Sequence, residues 1–141
     1  YPTDYEFKYP KAGEENSKVS IHVYHLENGN TVDVELTKPY EYITAIQWTK
    51  SENQLALLCS NRHQNELDIN IANTTTGKVK TTYTETSDTY IEMPFFIEFM
   101  EDQKSYIVLS ERDGFNHIYQ HFLNGGKVNQ ITKGEFDVMA V

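Results

Sequence analysis

Hydrophobic and polar residues alternate along most of this chain in short runs. Val32, Val34 and Leu36, for example, alternate with Asp33 and Glu35, which is the period-two pattern of a strand with one buried face. Residues that favour the positive φ of tight hairpin turns separate these runs, at Asn28-Gly29, Thr76-Gly77, Asp113-Gly114 and Asn124-Gly125-Gly126. The pattern predicts an all-β chain of antiparallel strands joined by hairpins.

An internal repeat makes this prediction more specific. Residues 45–48 and 55–60 (Ala-Ile-Gln-Trp and Leu-Ala-Leu-Leu-Cys-Ser) recur about 50 residues later as 96–99 and 106–110 (Phe-Ile-Glu-Phe and Tyr-Ile-Val-Leu-Ser). A four-stranded unit that repeats every 40 to 50 residues or so is typical of the blades of a β-propeller. We therefore predict a partial propeller, and a chance similarity within an antiparallel β-sandwich is the alternative.

The repeat also predicts where the blades lie. We expect a partial blade at 18–36, complete four-stranded antiparallel blades at 43–84 and 94–132, and the first strand of another blade at 136–141. The pattern is cut off at Val141, so we expect a piece of a longer protein. About two complete and two partial blades cannot close a ring, so open edges should lead the piece to associate with itself.

The charge of the chain narrows the range of partners. It contains 21 acidic and 12 basic residues, a formal net charge of −9, and Arg62 and Arg112 are its only arginines. Such a sequence offers no basic track for phosphates, so nucleic acid is not an expected partner. It also contains no apolar run of about 18 residues, the length that a membrane-spanning helix needs.

The sequence does not contain the Gly-x-Ser-x-Gly motif that announces the nucleophile of many hydrolases. Ser110 stands near acidic residues, but its surroundings favour a polar hairpin. Cys59 follows an apolar run, which indicates a buried structural thiol. We therefore expect no catalytic residue within these residues and no cofactor.

Two pairs of histidines have the residue type of metal ligands. On a strand, His22 and His25 would point to opposite faces, and His117 and His121 would share a face about 13 Å apart, too far for one ion. No metal site is expected from either pair. The alternating aromatic residues Tyr1, Tyr5, Phe7 and Tyr9 are expected to pack between blades, with stacking on a ligand as the alternative.

Three segments resemble the propeller region of dipeptidyl peptidase IV and its bacterial relatives. Residues 9–16 resemble that family's Tyr-Pro-Lys-Ala-Gly-x-x-Asn segment, and residues 110–119 its Ser-Glu-Arg-Asp-Gly-Phe-x-His-Ile-Tyr hairpin. Residues 131–138 are similar to its Thr-x-Gly-x-Trp-Glu/Asp-Val blade junction, with Phe136 in place of the usual tryptophan. The segments occur in the family's order and span nearly the whole chain.

The resemblance implies a serine peptidase with an N-terminal eight-bladed propeller and a C-terminal α/β-hydrolase domain that carries the catalytic Ser-Asp-His triad. Such enzymes release N-terminal X-Pro, or less readily X-Ala, dipeptides from peptides, and the propeller controls substrate access. A periplasmic, secreted or cell-surface location is also implied. A propeller that serves as a protein-interaction or sensor platform without peptidase activity is a different possibility, and an independent β-sandwich binding module is a third.

The resemblance also bears on substrate-binding residues. The family's paired glutamates, which bind the substrate ammonium group, lie just before the Tyr-Pro-Lys-Ala-Gly segment, so Glu14 and Glu15 are not their equivalents. In some members the segment between the two complete blades contributes a phenylalanine and an arginine to the substrate pocket. The corresponding segment here, residues 90–96, has no arginine. Phe95 and Phe96 are therefore the candidate substrate-binding residues.

Overall fold

The computed structural model describes residues 3–9, 11–93 and 97–140. Ten β-strands account for the regular structure in these ranges. They are β1 (His22–Tyr24), β2 (Thr31–Asp33), β3 (Tyr42–Trp48), β4 (Gln54–Ser60), β5 (Glu66–Asn73), β6 (Val79–Thr86), β7 (Glu98–Phe99), β8 (Ser105–Ser110), β9 (His117–Phe122) and β10 (Asn129–Gln130). A search of the same ranges for a helix long and apolar enough to cross a membrane finds none.

The strands form three antiparallel sheets in chain order. Strands β1 and β2 form a two-stranded sheet, β3 to β6 form a four-stranded sheet called here the first blade, and β7 to β10 form another, the second blade. Within each sheet, every strand pairs with the strand next to it in sequence, as short turns favour. The predicted all-β class, with four-stranded antiparallel blades, is confirmed.

The first blade lies between two apolar cores, and this explains the unbroken apolar run of β4. Ala56 and Leu58 face a core shared with the second blade, whereas Leu55, Leu57 and Cys59 face a core shared with the two-stranded sheet. Successive side chains of a strand point to opposite faces, so β4, with an apolar core on each side, carries apolar residues at successive positions. The three sheets are thus packed face to face, as propeller blades are.

The strands of the second blade are shorter than their counterparts in the first. Strand β10 ends at Gln130 because the Thr132 hydroxyl, in place of a backbone carbonyl, accepts the hydrogen bond of the Ile118 N–H at 3.0 Å. Residues 136–140, expected to begin another strand, are not a strand in the structure. They contact Asn116, which accepts a backbone hydrogen bond from Val138 at 2.7 Å, and His117, whose ring meets that of Phe136 edge-on.

The meander places particular loops at the same end of the blades. Because neighbouring strands run in opposite directions, the β4–β5 turn (61–65), the β8–β9 turn (111–116) and the start of the segment that follows β6 (87–91) lie at the same end of the blades. Backbone hydrogen bonds confirm this, since Ser87 donates to Asn65 and Ile91 to Gln64, both at 3.0 Å. We call this the linker end, and residues 87–97 the linker.

Candidate functional site

The linker contains both candidate substrate-binding residues. Phe95 and Phe96 lie outside the described residues, but the linker is well anchored on both sides of them. Ile91 is buried and is tied to the first blade by its hydrogen bond to Gln64, and Ile97 is fully buried in the core between the blades. The first part of the linker is therefore held by packing as well as by backbone hydrogen bonds.

A charged cluster joins the two blades where the linker begins. Glu85, near the end of β6, accepts hydrogen bonds from the Ser110 hydroxyl at 2.6 Å and from Nη2 of Arg112 at 2.8 Å. Nε of Arg112 also donates to Ser110 at 2.9 Å. Both oxygens of a carboxylate on the first blade are thus bound by residues of the second. The two charges are largely buried, with side chains 12% and 20% exposed, so solvent screens this pair weakly.

Aromatic rings from both blades enclose the Arg112 guanidinium. Its central carbon lies 4.0 Å from the ring centroid of Tyr119 on the second blade and 4.6 Å from that of Tyr83 on the first. A planar cation between two rings gains cation–π and stacking interactions that lysine reproduces poorly. The cluster of Glu85, Ser110, Arg112, Tyr83 and Tyr119 is called here the Arg112 clamp.

His121 closes the inner side of the clamp. Its ring is stacked on Tyr106 at 5.3 Å between centroids and meets Tyr83 edge-on at 4.2 Å. Burial, together with the positive charge of Arg112, lowers the pKa of His121 to about 3. The imidazole is therefore neutral near neutral pH, and its Nε2 lies 3.4 Å from Nη2 of Arg112.

The repeat places Arg62 at the position in the first blade that Arg112 occupies in the second. Arg62 also binds a glutamate, with Nη1 2.8 Å from Oε1 of Glu41, but its side chain is 50% exposed. Both blades therefore have an arginine at this position of the repeat, but the surroundings of the two arginines differ. Of the two arginines, only Arg112, which lies between the blades, is enclosed by aromatic rings.

A second buried charge stabilises the first blade. Asp68, whose side chain is 3% exposed, is bound by Lys38 at 2.8 Å and by the Tyr40 hydroxyl at 2.7 Å, and also accepts a hydrogen bond from Thr84. Burial alone would raise the pKa of Asp68, but these hydrogen bonds outweigh it and hold the pKa below its ordinary value. Every charge in this network has a partner, which is typical of a structural site.

Two grooves lie between the segment before β1 and the start of β3. One, of about 500 Å³, is lined by residues 13–18 with Glu41 and Arg62, and the other, of about 810 Å³, is lined mainly by residues 41–46 and by residues between 16 and 21. Ile46 and Trp48 of β3 are more than half exposed. In the part of the chain that the structure describes, β3 thus has one edge without a strand partner and presents apolar side chains to solvent.

A hydrogen-bonded row of Ser20, His22 and Asp33 has the residue types of a hydrolase triad. Ser20 Oγ lies 2.8 Å from Nε2 of His22, and Nδ1 of His22 lies 2.7 Å from Asp33. His22 and Asp33 are cross-strand partners, and their side chains are 51% and 80% exposed. A catalytic triad requires a buried carboxylate to orient the histidine, so we assign this row to pairing of β1 with β2.

His25, His117 and Cys59, the other candidate residues of the sequence, do not come together in one site. His25 contacts the carbonyl of Thr74, and His117 contacts Thr132 and Gly134. Cys59 is fully buried, and burial raises its pKa to about 11, so it is a poor nucleophile near neutral pH.

The expectation that the N-terminal aromatic residues pack between blades is wrong for those that the structure describes. Tyr5, Phe7 and Tyr9 are all more than 70% exposed.

Sequence reasoning missed the Arg112 clamp. It assigned residues 110–113 to a polar hairpin, which is where they lie, but gave them no partner in the other blade. Glu85 and Arg112 are 27 positions apart and belong to different sheets, so no local pattern connects them. The available signal was the alternation along β6, which places Tyr83 and Glu85 on one face next to the following blade.

The fold and the clamp define a class of protein: consecutive blades of a β-propeller, joined by a buried polar contact at the linker end. Comparison with known proteins identifies the family. The profile described as "Dipeptidyl peptidase IV (DPP IV) N-terminal region" matches residues 1–141. The chain belongs to this family.

Individual relatives agree with this assignment. A protein of Emericella nidulans named "Probable dipeptidyl peptidase 4" is 26% identical over the whole chain, and "Inactive dipeptidyl peptidase 10" of Rattus norvegicus is 33% identical over 94% of it. The crystal structure of Porphyromonas gingivalis dipeptidyl peptidase 4 matches 99% of the chain with a TM-score of 0.85 and 33% identity. The chain spans about a fifth of the length of these proteins.

Proposed function

We propose that this chain forms consecutive blades of the propeller that controls substrate access in a serine peptidase of the dipeptidyl peptidase IV type. The complete protein would release N-terminal X-Pro or X-Ala dipeptides, with its catalytic triad in an α/β-hydrolase domain C-terminal to the propeller. The chain itself would contribute no catalytic residue. The observation that carries the proposal is the match to the Porphyromonas gingivalis peptidase, which covers nearly the whole chain.

Substrate contacts are proposed at the linker. Phe95 and Phe96 belong to the segment between Ile91, which is buried and bonded to the first blade, and the fully buried Ile97. Aromatic side chains suit the apolar side chains of a peptide.

The proposal is tested with the complete gene product that contains residues 1–141. We expect it to release the chromophore from a Gly-Pro chromogenic substrate, and we expect the isolated chain to show no turnover. A complete protein that is folded but inactive on X-Pro and X-Ala substrates would contradict the proposed activity. Turnover by the repurified isolated chain would contradict the proposed location of the chemistry.

A specific observation supports a second candidate function. A relative that matches the chain at 33% identity is named as an inactive dipeptidyl peptidase, so this region also occurs in proteins named as inactive. The chain could then serve as a platform for protein interaction or sensing. The sequence of the complete protein distinguishes the two, since a Gly-x-Ser-x-Gly serine followed by aspartate and histidine supports the peptidase.

Self-association of the isolated chain is proposed on separate grounds. Among the described residues, strand β3 pairs with β4 alone, so its other edge has no strand partner there, and Ile46 and Trp48 of β3 are exposed. Such an edge can pair with another strand. A stable monomer at high concentration in light scattering would contradict this proposal.

A further inference from the structure

We propose that residues 3–9, called here the aromatic segment, form an interaction surface for a second copy of this chain by pairing as a strand with its β3. Two copies exchange their segments, so each supplies one strand and receives one. This inference rests on the proposed self-association and names the two surfaces that meet. It does not depend on peptidase activity.

The aromatic segment has the pattern of a strand with one apolar face, but it lies outside every strand that the structure describes. Tyr5, Phe7 and Tyr9 alternate with Glu6 and Lys8, and all three aromatic side chains are largely exposed. Exposure of three aromatic rings to water is unfavourable, and burial against another surface removes this cost. The segment is therefore an extended chain with an apolar face to bury.

Strand β3 offers the complementary surface. Among the described residues it pairs with β4 alone, so its other edge has no strand partner there. Ile46 and Trp48, two positions apart on β3, are both more than half exposed. The groove of about 810 Å³ beside residues 41–46 leaves space at this strand, and its walls include the apolar Val19 and Ile21. An extended segment can therefore add to β3 as a fifth strand of the first blade.

The spacing of the two surfaces matches. Residues on one face of a strand are two positions apart, which holds for the aromatic residues of the segment and for Ile46 and Trp48. An antiparallel register that sets Phe7 opposite Ile46 also sets Tyr5 opposite Trp48. Aromatic–β-branched and aromatic–aromatic pairs stabilise neighbouring strands. Strand β3 contains no charged residue, so the acidic residues of the segment meet no like charge on it.

The position of the segment in the chain favours exchange between two copies. A turn at residues 11–14 precedes Asn16, whose amide donates to Glu41 at 2.7 Å and to Tyr42 at 2.9 Å, at the start of β3. The segment is thus attached near the strand that it would extend, yet its aromatic side chains stay exposed and do not pack on the β3 of their own chain. Because both surfaces are exposed in one chain, a second copy supplies the partner for each of them.

The surface involved is large enough for a stable dimer. A buried aromatic side chain covers about 150–250 Å², so the six side chains of two exchanged segments supply on the order of 1,000 Å². Ile46 and Trp48 of both copies add to this area. Stable interfaces bury about 1,200–2,000 Å² in total. Reciprocal exchange of one element closes on itself, so we expect a dimer and not a filament.

The experiment measures the association of the chain, residues 1–141, by sedimentation equilibrium over a range of concentrations. We expect Tyr5→Ser and Trp48→Thr each to raise the dissociation constant of the dimer at least about tenfold, because each removes a large apolar side chain from both halves of the interface. Tyr90→Ser is the control, since it removes an exposed aromatic side chain outside both surfaces, and should leave the constant unchanged.

The double variant tests whether the two surfaces contact each other. Tyr5 and Trp48 face each other in the proposed register, so the loss of affinity in the double variant should be smaller than the two single losses added together. Losses that add in full would contradict the proposed pairing of these two residues.

Other modes of association give different results. Pairing of β3 with a second β3 would respond to Trp48→Thr alone, and pairing of one aromatic segment with another would respond to Tyr5→Ser alone. A segment that covers the β3 of its own chain would make Tyr5→Ser strengthen the association, because the edge would become free. Each of these results would overturn the inference.

Hydrogen exchange provides a second measurement, which does not depend on Trp48→Thr. At a concentration where wild type is a dimer, the amides of residues 45–48 should exchange more slowly in wild type than in Tyr5→Ser. Tyr5 is largely exposed, so its replacement leaves both apolar cores intact. Equal rates in the two proteins would contradict pairing of the segment with β3.

The inference and the proposed self-association fail in different ways. A wild-type chain that stays monomeric at high concentration contradicts both. A chain that associates as tightly with Tyr5→Ser as without it contradicts this inference alone. Neither result bears on the proposed peptidase activity of the complete protein.

Discussion

The repeat places Gln64 and Gly114 at equivalent positions of two turns, and a glutamine has less backbone freedom than a glycine. Gln64 in the β4–β5 turn has a φ of 55°, and Gly114, fifty positions later in the β8–β9 turn, has a φ of 100°. Both turns are closed by the same kind of hydrogen bond, from Gln64 to Asn61 and from Gly114 to Glu111. A glutamine with positive φ carries a backbone cost that glycine avoids.

Substitutions at these two positions should therefore change the stability of the chain in opposite directions. We expect Gln64→Gly to stabilise the chain by roughly 0.5–1 kcal/mol and Gly114→Ala to destabilise it by about 1–2 kcal/mol. An added Cβ at Gly114 would contact nothing within 4 Å, so its effect comes from the backbone alone. Urea denaturation of both variants measures this, and a change of the same sign in both would contradict the explanation.

Gly77 is required for a different reason, which is space. A Cβ at this position would lie 2.0 Å from the carbonyl oxygen of Asp33, where the two-stranded sheet meets the first blade. We expect Gly77→Ala to destabilise the chain by about 2–5 kcal/mol, because the two segments must separate as well as adopt a strained φ. Gly126→Ala is the control, since it has positive φ but open space, and should cost only about 1–2 kcal/mol. Equal losses in urea denaturation would rule out the steric explanation.

His121 should make the stability of the chain depend on pH. Its pKa in the folded protein is about 3, below the ordinary value of 6.5, because it is buried beside Arg112. As pH falls below about 6.5, the unfolded chain binds a proton that the folded chain does not, so stability is lost progressively down to about pH 3. The loss is at most a few kcal/mol.

The contribution of His121 is isolated with a variant. His121→Phe keeps an aromatic ring against Tyr106 and removes the titrating group, so its stability should fall less between about pH 6.5 and about pH 4 than that of wild type. Urea denaturation across this range measures the difference. His63→Gln, at an exposed position, should behave like wild type. A pH dependence in His121→Phe as steep as that of wild type would contradict the assignment.

At the scale of the elements, one side chain of the first blade binds the last residue of the linker, directly before β7. Gln47 on β3 donates from Nε2 to the carbonyl of Ile97 at 2.6 Å and accepts from its N–H at 2.9 Å. The amide of Gln47 thus pairs with a backbone as a neighbouring strand would. Ile97 is fully buried, so water cannot replace these bonds.

Removal of this amide should weaken the contact between the blades. We expect Gln47→Ala to destabilise the chain by about 1–3 kcal/mol and to accelerate hydrogen exchange at Ile97, because a buried donor and a buried acceptor lose their partners. Ile46→Ala, at a neighbouring exposed position, is the control and should change the exchange at Ile97 little. No change in exchange in Gln47→Ala would show that another group satisfies Ile97.

Most strands could be predicted from the sequence, because strands joined by hairpins are specified by the local pattern of apolar residues and turn residues. The first blade spans Tyr42–Thr86, close to the predicted 43–84, since alternation and turn residues directly specify strands and their order. Residues 136–140 were different: their apolar pattern suits a strand, but a strand requires a paired neighbour, and their contacts with Asn116 do not provide one. The Arg112 clamp and the Gln47 contact were not predictable for a related reason, as both join residues of different sheets.

At the scale of the whole molecule, the stack of sheets suggests how this region would control access. Two apolar cores pack the sheets into a stack, and the start of the linker lies beside the β4–β5 turn at one end of it. We propose that the complete protein admits flexible peptides and excludes folded proteins because such a stack does not open readily. The family assignment supports this reading, although the chain represents about a fifth of its relatives.

The most direct test of this account measures dipeptide release by the complete protein from one N-terminal Gly-Pro sequence in two settings. In the first it begins a short flexible peptide, and in the second it is attached without a linker to the surface of a stable folded domain. We predict efficient release of Gly-Pro from the flexible peptide and little or none from the folded domain. Release at equal rates from both, or from neither, would contradict the account.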